Sequence, residues 1–338
     1  MGPRLRVGVL GCASIARRKM LPALASNPSV RLVAVASRTG EKAARFAAPY
    51  GCEAVTGYEE LLRRTDVDAV YIPLPAALRA PWIARALEAG KHVLGEKPLT
   101  TTAADARDLV ALGGRRGLLL MESFMFLHHS VHRSVTELVA AGRIGEPRSF
   151  AAEFTIPPLP ADDIRNRPGL GGGALLDLGV YTVRAAQYFC GPGLSVVGAV
   201  LMSDAPATGT PSATGPAGGV DRAGAALLSS DRTTAQLTFG MAHAYQCRYR
   251  ICGSEGLLSL DRAFTPPPDL RPVVRIEDKD GTEELTLEAD DHFANIVTAF
   301  AGTALGGGDL TGYGEQILRQ ADLVERIRRA DAPAPRAA

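Results

Sequence analysis

A lysine followed by a proline comes shortly after an apolar run, in the segment Gly95-Glu96-Lys97-Pro98-Leu99-Thr100. The preceding run His92-Val93-Leu94 predicts a buried strand. If that strand belongs to a parallel sheet, its carboxyl end lies at the edge where such sheets bind ligands. Pro98 fixes its own φ and disfavours the helical backbone conformation at Lys97. The Lys97–Pro98 peptide bond can also be cis. Lys97 is thus a candidate for chemistry; the alternative is that Glu96 and Lys97 are two solvated charges.

A glycine-rich loop is the second candidate, Gly11-Cys12-Ala13-Ser14-Ile15-Ala16. It lies between a predicted strand (4–10) and a predicted helix (15–25), which is where the dinucleotide fingerprint G-x-G-x-x-G/A places a pyrophosphate at a helix N-terminus. Ala13 replaces the second glycine and adds one methyl group near the phosphates. The alternative is a simple turn. The residues expected to contact the cofactor are Gly11, Cys12, Ala13, Ser14 and Ile15.

The next predicted strand (31–36) ends in Ser37-Arg38-Thr39. An NAD-binding chain usually has an acidic residue there, on the ribose 2′-hydroxyl. Here a hydroxyl and an arginine suit a 2′-phosphate, because Ser37 can donate one hydrogen bond and Arg38 can bind in bidentate fashion. The sequence therefore favours NADP(H) over NAD(H). The alternative is that Arg38 only extends into solvent.

Regular alternation of strands and helices positions these candidates. Predicted strands at 53–55, 69–72, 92–94 and 118–121 alternate with predicted helices at 41–48, 58–63, 81–89 and 103–113. This order indicates a parallel sheet with right-handed crossovers. Pro73-Leu74-Pro75 cannot continue a strand, so it predicts a rigid loop at the carboxyl edge of the sheet. We expect Leu74, Pro75, Glu96 and Lys97 to lie along the cofactor there.

The second half has a different pattern. Predicted strands at 148–154, 194–202, 223–229, 233–239, 245–251, 257–260, 273–276 and 284–287 indicate a mainly antiparallel sheet. A predicted helix at 173–189 follows three glycines and carries Asp177, Tyr181 and Arg184 as one polar stripe. Such a stripe on a helix that packs on a sheet favours a ligand or partners, and the alternative is a solvent-facing stripe. Helices at 291–304 and 314–329 close the chain.

Composition excludes several classes of protein. The chain has 338 residues, a formal net charge of +1 and no basic run, which argues against nucleic-acid or membrane-surface partners. It has no apolar run long enough to span a membrane and no signal peptide, so we expect a cytoplasmic protein. Five cysteines without a Cys-x-x-Cys pair indicate reduced thiols. The spacing of His128, His129 and His132 does not suit a metal site. Segments 205–219 and 332–338 predict a mobile loop and a frayed tail.

Four motifs together resemble the glucose-fructose oxidoreductase / inositol dehydrogenase (Gfo/Idh/MocA) family over nearly the whole chain. They are the loop at 11–16, Glu96-Lys97-Pro98, Glu122-Ser123-Phe124-Met125 and Gly171–Tyr181. Further features resemble the NDP-hexose 3-ketoreductases within that family: Ser37-Arg38, Pro73-Leu74-Pro75, Phe126-Leu127-His128-His129, Phe154-Thr155-Ile156-Pro157-Pro158 and Tyr181, where most members have histidine. Ala13, Ser123 and Arg79 depart from the commoner glycine, asparagine and histidine.

The resemblance implies an α/β plus α+β architecture. Residues 1–122 would form an NADP-binding Rossmann domain with a doubly wound parallel sheet. Residues 123–311 would form an α+β domain for substrate and oligomerisation, built on an open, mainly antiparallel sheet. The last helix (312–330) would pack back on the first domain. The open sheet would build a homodimer or homotetramer, and the reaction site would lie between the domains.

The resemblance also implies hydride transfer from NADPH to a keto group of a nucleotide-linked deoxyhexose, most simply a dTDP-sugar. Lys97 would stabilise the alkoxide and act as the acid, Tyr181 would donate to the same oxygen, and Asp177 would orient a substrate hydroxyl. Whether Lys97 or Tyr181 delivers the proton is left open. Arg165 would pair with the substrate diphosphate. The alternatives are a dehydrogenase of a free polyol or cyclic diol, and a non-catalytic dinucleotide-binding regulator.

Overall fold

The computed structural model describes residues 2–203, 219–307 and 309–331. The predicted loop at 205–219 lies outside the described residues except for Gly219, and so does the predicted tail at 332–338. The chain separates into two compact units. The first contains the residues up to His128 and the segment His292–Ala321, and the second contains His129–Asp291 and the chain from Asp322 onward. This division assigns no function to either unit, so the predicted domain functions stay predictions.

A six-stranded parallel sheet forms the centre of the first unit. Its strands are β1 (Leu5–Leu10), β2 (Val30–Ser37), β3 (Glu53–Thr56), β4 (Ala69–Ile72), β5 (His92–Glu96) and β6 (Leu120–Ser123). Their spatial order is β3-β2-β1-β4-β5-β6. The chain thus winds outward in both directions from a switch point between β1 and β4, where open α/β sheets bind ligands. The predicted doubly wound parallel sheet is confirmed.

Helices cover the two faces of this sheet. They are α1 (Leu21–Ser26), which follows a π-helical turn (Ala16–Met20), α2 (Gly40–Ala47), α3 (Tyr58–Leu62), α4 (Ala76–Glu88) and α5 (Ala103–Arg116). Local signals set the ends of α5: the side chain of Thr102 accepts the Asp105 N–H at 3.1 Å, and Gly117 ends the helix with φ of 63°. Buried side chains of strands and helices, such as Val70, Val93 and Ile83, form one core.

Helix α4 begins five residues earlier than predicted. The prediction places Pro81 at the first position of the helix, where proline is common. In the structure Pro81 lies inside the helix, which starts directly after Pro75. An interior proline removes one backbone hydrogen bond but does not prevent the helix here. The earlier start places Arg79 on the first turns of α4, where its side chain is buried.

An eight-stranded sheet forms the second unit. Its strands are β7 (Pro147–Thr155), β8 (Ser195–Ser203), β9 (Asp221–Ser229), β10 (Thr234–Gly240), β11 (Gln246–Gly253), β12 (Gly256–Asp261), β13 (Val273–Asp278) and β14 (Gly281–Thr286). The spatial order is β14-β13-β12-β11-β7-β10-β9-β8, and of these pairs only β7 with β10 is parallel. Burial alternates along the strands, so one face is apolar and covered while the other is open. The predicted open, mainly antiparallel sheet is confirmed.

Helices α6 (Ser130–Ala140) and α7 (Val180–Cys190) lie in this second unit. A π-helical turn (Leu175–Gly179) leads directly into α7, so the helix predicted at 173–189 is present, with a π-helical first part that the prediction did not include. Gly179 gives a physical reason: a Cβ there would lie 3.0 Å from the ring of Phe239 on β10, so the turn packs closely on the sheet. π-turns inside helices occur often at functional sites.

The chain closes with α8 (His292–Gly306) and α9 (Thr311–Ala330). Helix α8 belongs to the first unit, where Thr298 accepts a 2.8 Å hydrogen bond from the Asn27 side chain. On α9, Ile317 is part of the core of the first unit. Within the residues described, no helix combines the length and the apolar character needed to cross a bilayer.

Candidate active site

The glycine-rich loop lies at the switch point of the first sheet. The Gly11 N–H donates to the Ala36 carbonyl at 3.0 Å, and Gly11 has φ of 122°. A Cβ at this position would lie 2.9 Å from Leu74 Cδ2, so only glycine lets this loop approach the loop after β4. Cys12 to Ile15 are partly or fully exposed. The loop therefore has the backbone conformation and the access that a bound dinucleotide requires.

Basic side chains lie near the end of β2 that adjoins the glycine-rich loop. Arg38 is exposed and makes no ion pair with any carboxylate in the part of the chain that the structure describes. Burial raises the pKa of the Cys12 thiol, while Ser37 and the charges of Lys42 and Arg45 lower it by smaller amounts. The thiol is thus protonated and serves packing, and two further cations act on the loop. This charge distribution fits a phosphate group in addition to a pyrophosphate.

The segment around Lys97 is held by its neighbours within the first unit. Tyr71 Oη on β4 donates to Glu96 Oε1 at 2.8 Å, and both side chains are buried. The Leu99 N–H donates to Glu122 Oε1 at 2.7 Å. The Lys97–Pro98 peptide bond is cis, as the sequence allowed. Lys97 itself is half-buried at the carboxyl end of β5.

Arg79 makes hydrogen bonds both to the Lys97 segment and to the loop after β4. Its Nε donates to the Leu74 carbonyl at 2.8 Å, and its Nη1 donates to the Glu96 carbonyl at 2.8 Å. The same Nη1 also donates to the Pro98 carbonyl. The two carbonyls on either side of Lys97 thus share one guanidinium nitrogen.

Ser123 ends β6 beside Glu96, its register partner on β5. Its side chain is fully buried, and its Oγ has no hydrogen-bond partner among the described residues. A buried hydroxyl without a partner costs about 1–3 kcal/mol. Together with the Gly11 loop and Arg38, this orphaned hydroxyl at the carboxyl edge fits a polar ligand lying along that edge.

In the second unit, Arg165 and Asp177 form an ion pair. Arg165 Nε donates to Asp177 Oδ2 at 2.7 Å, and its Nη1 lies 3.3 Å from Asp163 Oδ1. These carboxylates, Asp177 first, raise the pKa of the guanidinium. Asp177 lies on the π-turn before α7, whereas Asp163 lies two residues before Arg165.

Two of the three glycines before the π-turn, Gly172 and Gly173, serve the protein's own packing. A Cβ on Gly172 would lie 2.3 Å from the Arg165 carbonyl oxygen, and one on Gly173 would lie 2.2 Å from Asp221 Oδ1. The Asp221 carboxylate also accepts the Leu175 N–H at 2.6 Å. The glycines therefore bring the turn with Asp177 against Arg165 and Asp221.

Tyr181 lies one turn beyond Asp177, on α7. Its side chain is 4% exposed, and its ring contacts those of Phe154 (centroids 5.2 Å apart) and Phe264 (5.9 Å). Arg184 is also buried. The predicted polar stripe is thus not a solvent-facing one, because two of its three members point into the unit.

Two histidines of the sequence motif, His129 and His132, make structural hydrogen bonds. His129 Nδ1 accepts the Val131 N–H at 3.1 Å. His132 lies between Tyr249 Oη (3.1 Å from Nδ1) and the Ala263 carbonyl (3.0 Å from Nε2). Because a carbonyl only accepts, Nε2 carries the proton and Nδ1 accepts from Tyr249. Across the described ranges, no cluster of three or more His, Cys, Asp or Glu side chains is arranged to hold a metal ion.

Comparison with family models settles the class of protein. The model for "Oxidoreductase family, NAD-binding Rossmann fold" matches residues 5–124, and the "GFO/IDH/MocA C-terminal domain" model matches residues 132–259. This chain belongs to the Gfo/Idh/MocA family. The resemblance predicted from the motifs is confirmed.

Several Gfo/Idh/MocA relatives match along nearly the full length. A dTDP-3,4-didehydro-2,6-dideoxy-alpha-D-glucose 3-reductase of Streptomyces violaceoruber is 52% identical and covers 96% of this chain and 95% of its own. The reductase of that name from Actinomadura kijaniata is also 52% identical, with the same coverage. A crystal structure of a 3-ketoreductase from Actinomadura kijaniata in complex with NADP and TDP-benzene superposes with a TM-score of 0.91, at 51% identity and over 97% of this chain and 98% of the other.

The site residues predicted for a Gfo/Idh/MocA protein fall into two groups. In the first unit, the glycine loop, Leu74 and the Lys97 segment meet at the carboxyl edge of one sheet. In the second unit, Arg165 and Asp177 are paired and Tyr181 follows on the same helix. The roles predicted for these residues stay predictions.

Three residues that hold the site, Tyr71, Asp221 and Lys42, were missed by the sequence analysis, which named Arg79 only as a departure from the commoner histidine. Tyr71 and Arg79 position the Lys97 segment, Asp221 caps the π-turn, and Lys42 adds charge near the glycine loop. The spacing of Lys42 and Arg45 after Ser37-Arg38 could have indicated a cluster of cations. No sequence pattern indicates Tyr71 or Asp221, because their contacts join segments that are distant in sequence.

Proposed function

We propose that this protein is an NADPH-dependent ketoreductase that reduces the 3-keto group of a dTDP-linked deoxyhexose in deoxysugar biosynthesis. The observation that carries the proposal is the identity of 52% over 96% of the chain with relatives named as 3-reductases of such a sugar. At this identity the relatives cover both the nucleotide-binding part and the C-terminal part of the chain. The sequence analysis predicted the same class of reaction from the motifs alone.

The choice of NADP(H) is supported by the charges at the end of β2. Arg38 is exposed, unpaired within the described residues, and placed where a ribose 2′-phosphate would lie beyond the glycine loop. Its planar guanidinium can bind a phosphate in bidentate fashion, which a 2′-hydroxyl would not use. Lys42 and Arg45 add positive charge nearby. A 3-ketoreductase from Actinomadura kijaniata was crystallised with NADP.

Gly11, Cys12, Ala13, Ser14 and Ile15 would hold the pyrophosphate, and Leu74, Pro75 and Glu96 would line the rest of the cofactor. NADPH, when bound, supplies the hydride. Ser37 is buried beside Cys12, so its contribution is to shape the loop as well as to donate a hydrogen bond.

Lys97 and Tyr181 are proposed to act on the substrate carbonyl oxygen. As the ketone carbon gains the hydride, negative charge develops on that oxygen and needs a positive group and a proton donor. The Lys97 ammonium group supplies both, and the Tyr181 hydroxyl donates a second hydrogen bond. The Actinomadura reductase was also crystallised with a lysine replaced by alanine or glutamate and with a tyrosine replaced by phenylalanine. Lysine and tyrosine are the two residue types proposed here to act on the carbonyl oxygen.

Asp177 and Arg165 are proposed to bind the substrate together. Asp177 is one-fifth exposed, and its Oδ2 accepts from Arg165. A carboxylate that is partly exposed and held in this way can accept from a sugar hydroxyl. The side chain of Arg165 is 41% exposed. It is large enough to contact the diphosphate with the nitrogen atoms not directed at Asp177.

A homo-oligomer is proposed through the open face of the second sheet. Four apolar side chains on β8 and β9 are strongly exposed: Val197 (61%), Val200 (59%), Met202 (64%) and Leu227 (41%). Exposed apolar patches of this kind commonly mark interfaces. A dimer or tetramer in light scattering would support the proposal, and a monomer at micromolar concentration would oppose it. We also propose a cytoplasmic enzyme, in keeping with five free cysteines.

The test of the proposed function is NADPH oxidation, followed by absorbance, with a panel of substrates. The panel contains dTDP-linked keto-hexoses, the same sugars without the nucleotide, and free inositols with NADP. Turnover confined to the dTDP-linked ketones is expected. Turnover of inositols alone would favour a polyol dehydrogenase, and tight NADPH binding without turnover of any compound would favour a regulator.

A further inference from the structure

Arg79 connects two loops at the carboxyl edge of the first sheet. The loop after β4 contributes the Leu74 carbonyl, and the segment after β5 contributes the carbonyls of Glu96 and Pro98. The Arg79 side chain is 5% exposed. A buried guanidinium is costly unless hydrogen bonds satisfy it, so these contacts fix its position.

The carbonyls that Arg79 holds are those on either side of Lys97. Glu96 is the last residue of β5, so the two carbonyls lie at and beyond the end of the regular hydrogen bonds of the sheet. Arg79 Nη1 satisfies both of them from one atom. The peptide group before Lys97 and the one after Pro98 are thereby held by Arg79, while Tyr71 holds the Glu96 carboxylate.

An arginine suits this task better than a lysine. Its planar fork directs Nε to one loop and Nη1 to the other, whereas an ammonium group on a shorter, flexible stem cannot hold both directions at once. The contacts reach Leu74 and Glu96, 5 and 17 residues away in sequence. The geometry therefore joins the predicted cofactor loop to the proposed proton donor.

We propose that Arg79 is a positioning residue for Lys97. It sets the backbone of Lys97, and hence the direction of the ammonium group, relative to the loop at Leu74. The inference rests on the proposed function, because it assigns to Arg79 the alignment of the proposed acid. A misplacement of about 1 Å in such a group can cost about a hundredfold in rate.

The experiment compares Arg79→Lys and Arg79→Met with wild type in the NADPH-bound enzyme, and Arg85→Met is the matched control. Arg85 lies on the same helix, but it is exposed and pairs with Glu59. For each variant, kcat and KM for the dTDP-linked ketone, the Kd for NADPH and the melting temperature are measured. Arg79→Lys keeps the positive charge, so it remains informative if Arg79→Met does not fold.

We expect Arg79→Lys to lower kcat by about tenfold or more, with KM changed less than about threefold and the control unchanged. In a Lys97→Met background, Arg79→Lys should cause no further loss of the residual rate, because both changes remove the same interaction. A wild-type kcat in Arg79→Lys, or an equal further loss in the Lys97→Met background, would overturn the inference. A wild-type rate in Lys97→Met alone would instead refute the proposed function of Lys97.

Discussion

The Arg165 guanidinium donates from Nε to Asp177 Oδ2 at 2.7 Å, joining the loop before the three glycines to the π-turn before α7. Asp163 lies against the same guanidinium. Two carboxylates thus raise the pKa of Arg165 and compensate part of its charge. This arrangement orients Asp177, and it leaves the Arg165 side chain 41% exposed, as the proposed contact with a substrate diphosphate requires.

The first prediction concerns Arg165. Replacing it with alanine should raise KM for the dTDP-linked ketone about tenfold or more, because a charge-assisted contact to the diphosphate is lost. The change in kcat should be smaller. Steady-state kinetics measure both constants. Arg167→Ala is the control, since Arg167 lies on the same loop but is exposed; an unchanged KM in Arg165→Ala would remove Arg165 from substrate binding.

The second prediction concerns Tyr181. Tyr181→Phe should lower kcat about tenfold, since one hydrogen bond to the developing alkoxide is lost while Lys97 remains. Folding should be preserved, because the ring keeps its contacts with Phe154 and Phe264. The control is Tyr188→Phe on the exposed side of the same helix. Equal kcat in Tyr181→Phe and wild type would show that the hydroxyl takes no part.

The third prediction concerns cofactor preference. Arg38→Ala should weaken NADPH binding about tenfold to a hundredfold and leave NADH binding nearly unchanged, because only NADPH has the 2′-phosphate. Fluorescence titration of both cofactors measures the effect. Arg31→Ala is the control, because Arg31 is an exposed arginine near the opposite end of β2. Equal losses for both cofactors would contradict 2′-phosphate recognition.

The fourth prediction concerns pH and stability. His92 Nδ1 accepts the Leu119 N–H at 2.9 Å, and burial lowers the pKa of His92 below its ordinary value of 6.5. The unfolded chain therefore takes up a proton before the folded protein does as the pH falls. The stability that neutral His92 contributes is present above about pH 6.5 and is lost below it, down toward the lowered pKa.

The melting temperature should accordingly fall between about pH 7.5 and about pH 5.5. His92→Gln should be less stable at the upper pH, yet show a smaller fall, because glutamine does not titrate. Calorimetry at several pH values measures this. The same slope in wild type and variant would show that His92 does not contribute to the pH dependence.

Much of the fold follows from local sequence patterns. The strand β4 was predicted with the bounds that the structure has, and the alternation up to β6 predicted the parallel sheet. Short apolar runs and regular turns determine these elements locally. The start of α4 was not predicted, because this helix contains an interior proline. The π-turn before α7 was not predicted, because it depends on the packing of Phe239 against Gly179.

The candidate site was predictable only where chemistry requires a particular residue at a particular place. Lys97 comes shortly after one predicted strand, and Arg38 comes shortly after the strand that follows the glycine loop. Both residues could therefore be recognised from their spacing in the sequence. The contacts that hold them come from elsewhere in the chain. Arg79 reaches the carbonyls around Lys97, and Tyr71 reaches Glu96, through side-chain geometry that no spacing rule encodes.

The most direct test of the proposed reaction is the rate of NADPH oxidation in a single turnover, when NADPH-bound enzyme is mixed with a dTDP-linked keto-hexose. Lys97→Met should lower this rate at least about a hundredfold, because the variant lacks both the positive charge and the proton. Lys279→Met, an exposed lysine in the turn between β13 and β14, should react like wild type. Equal rates in Lys97→Met and wild type would contradict Lys97 as the acid.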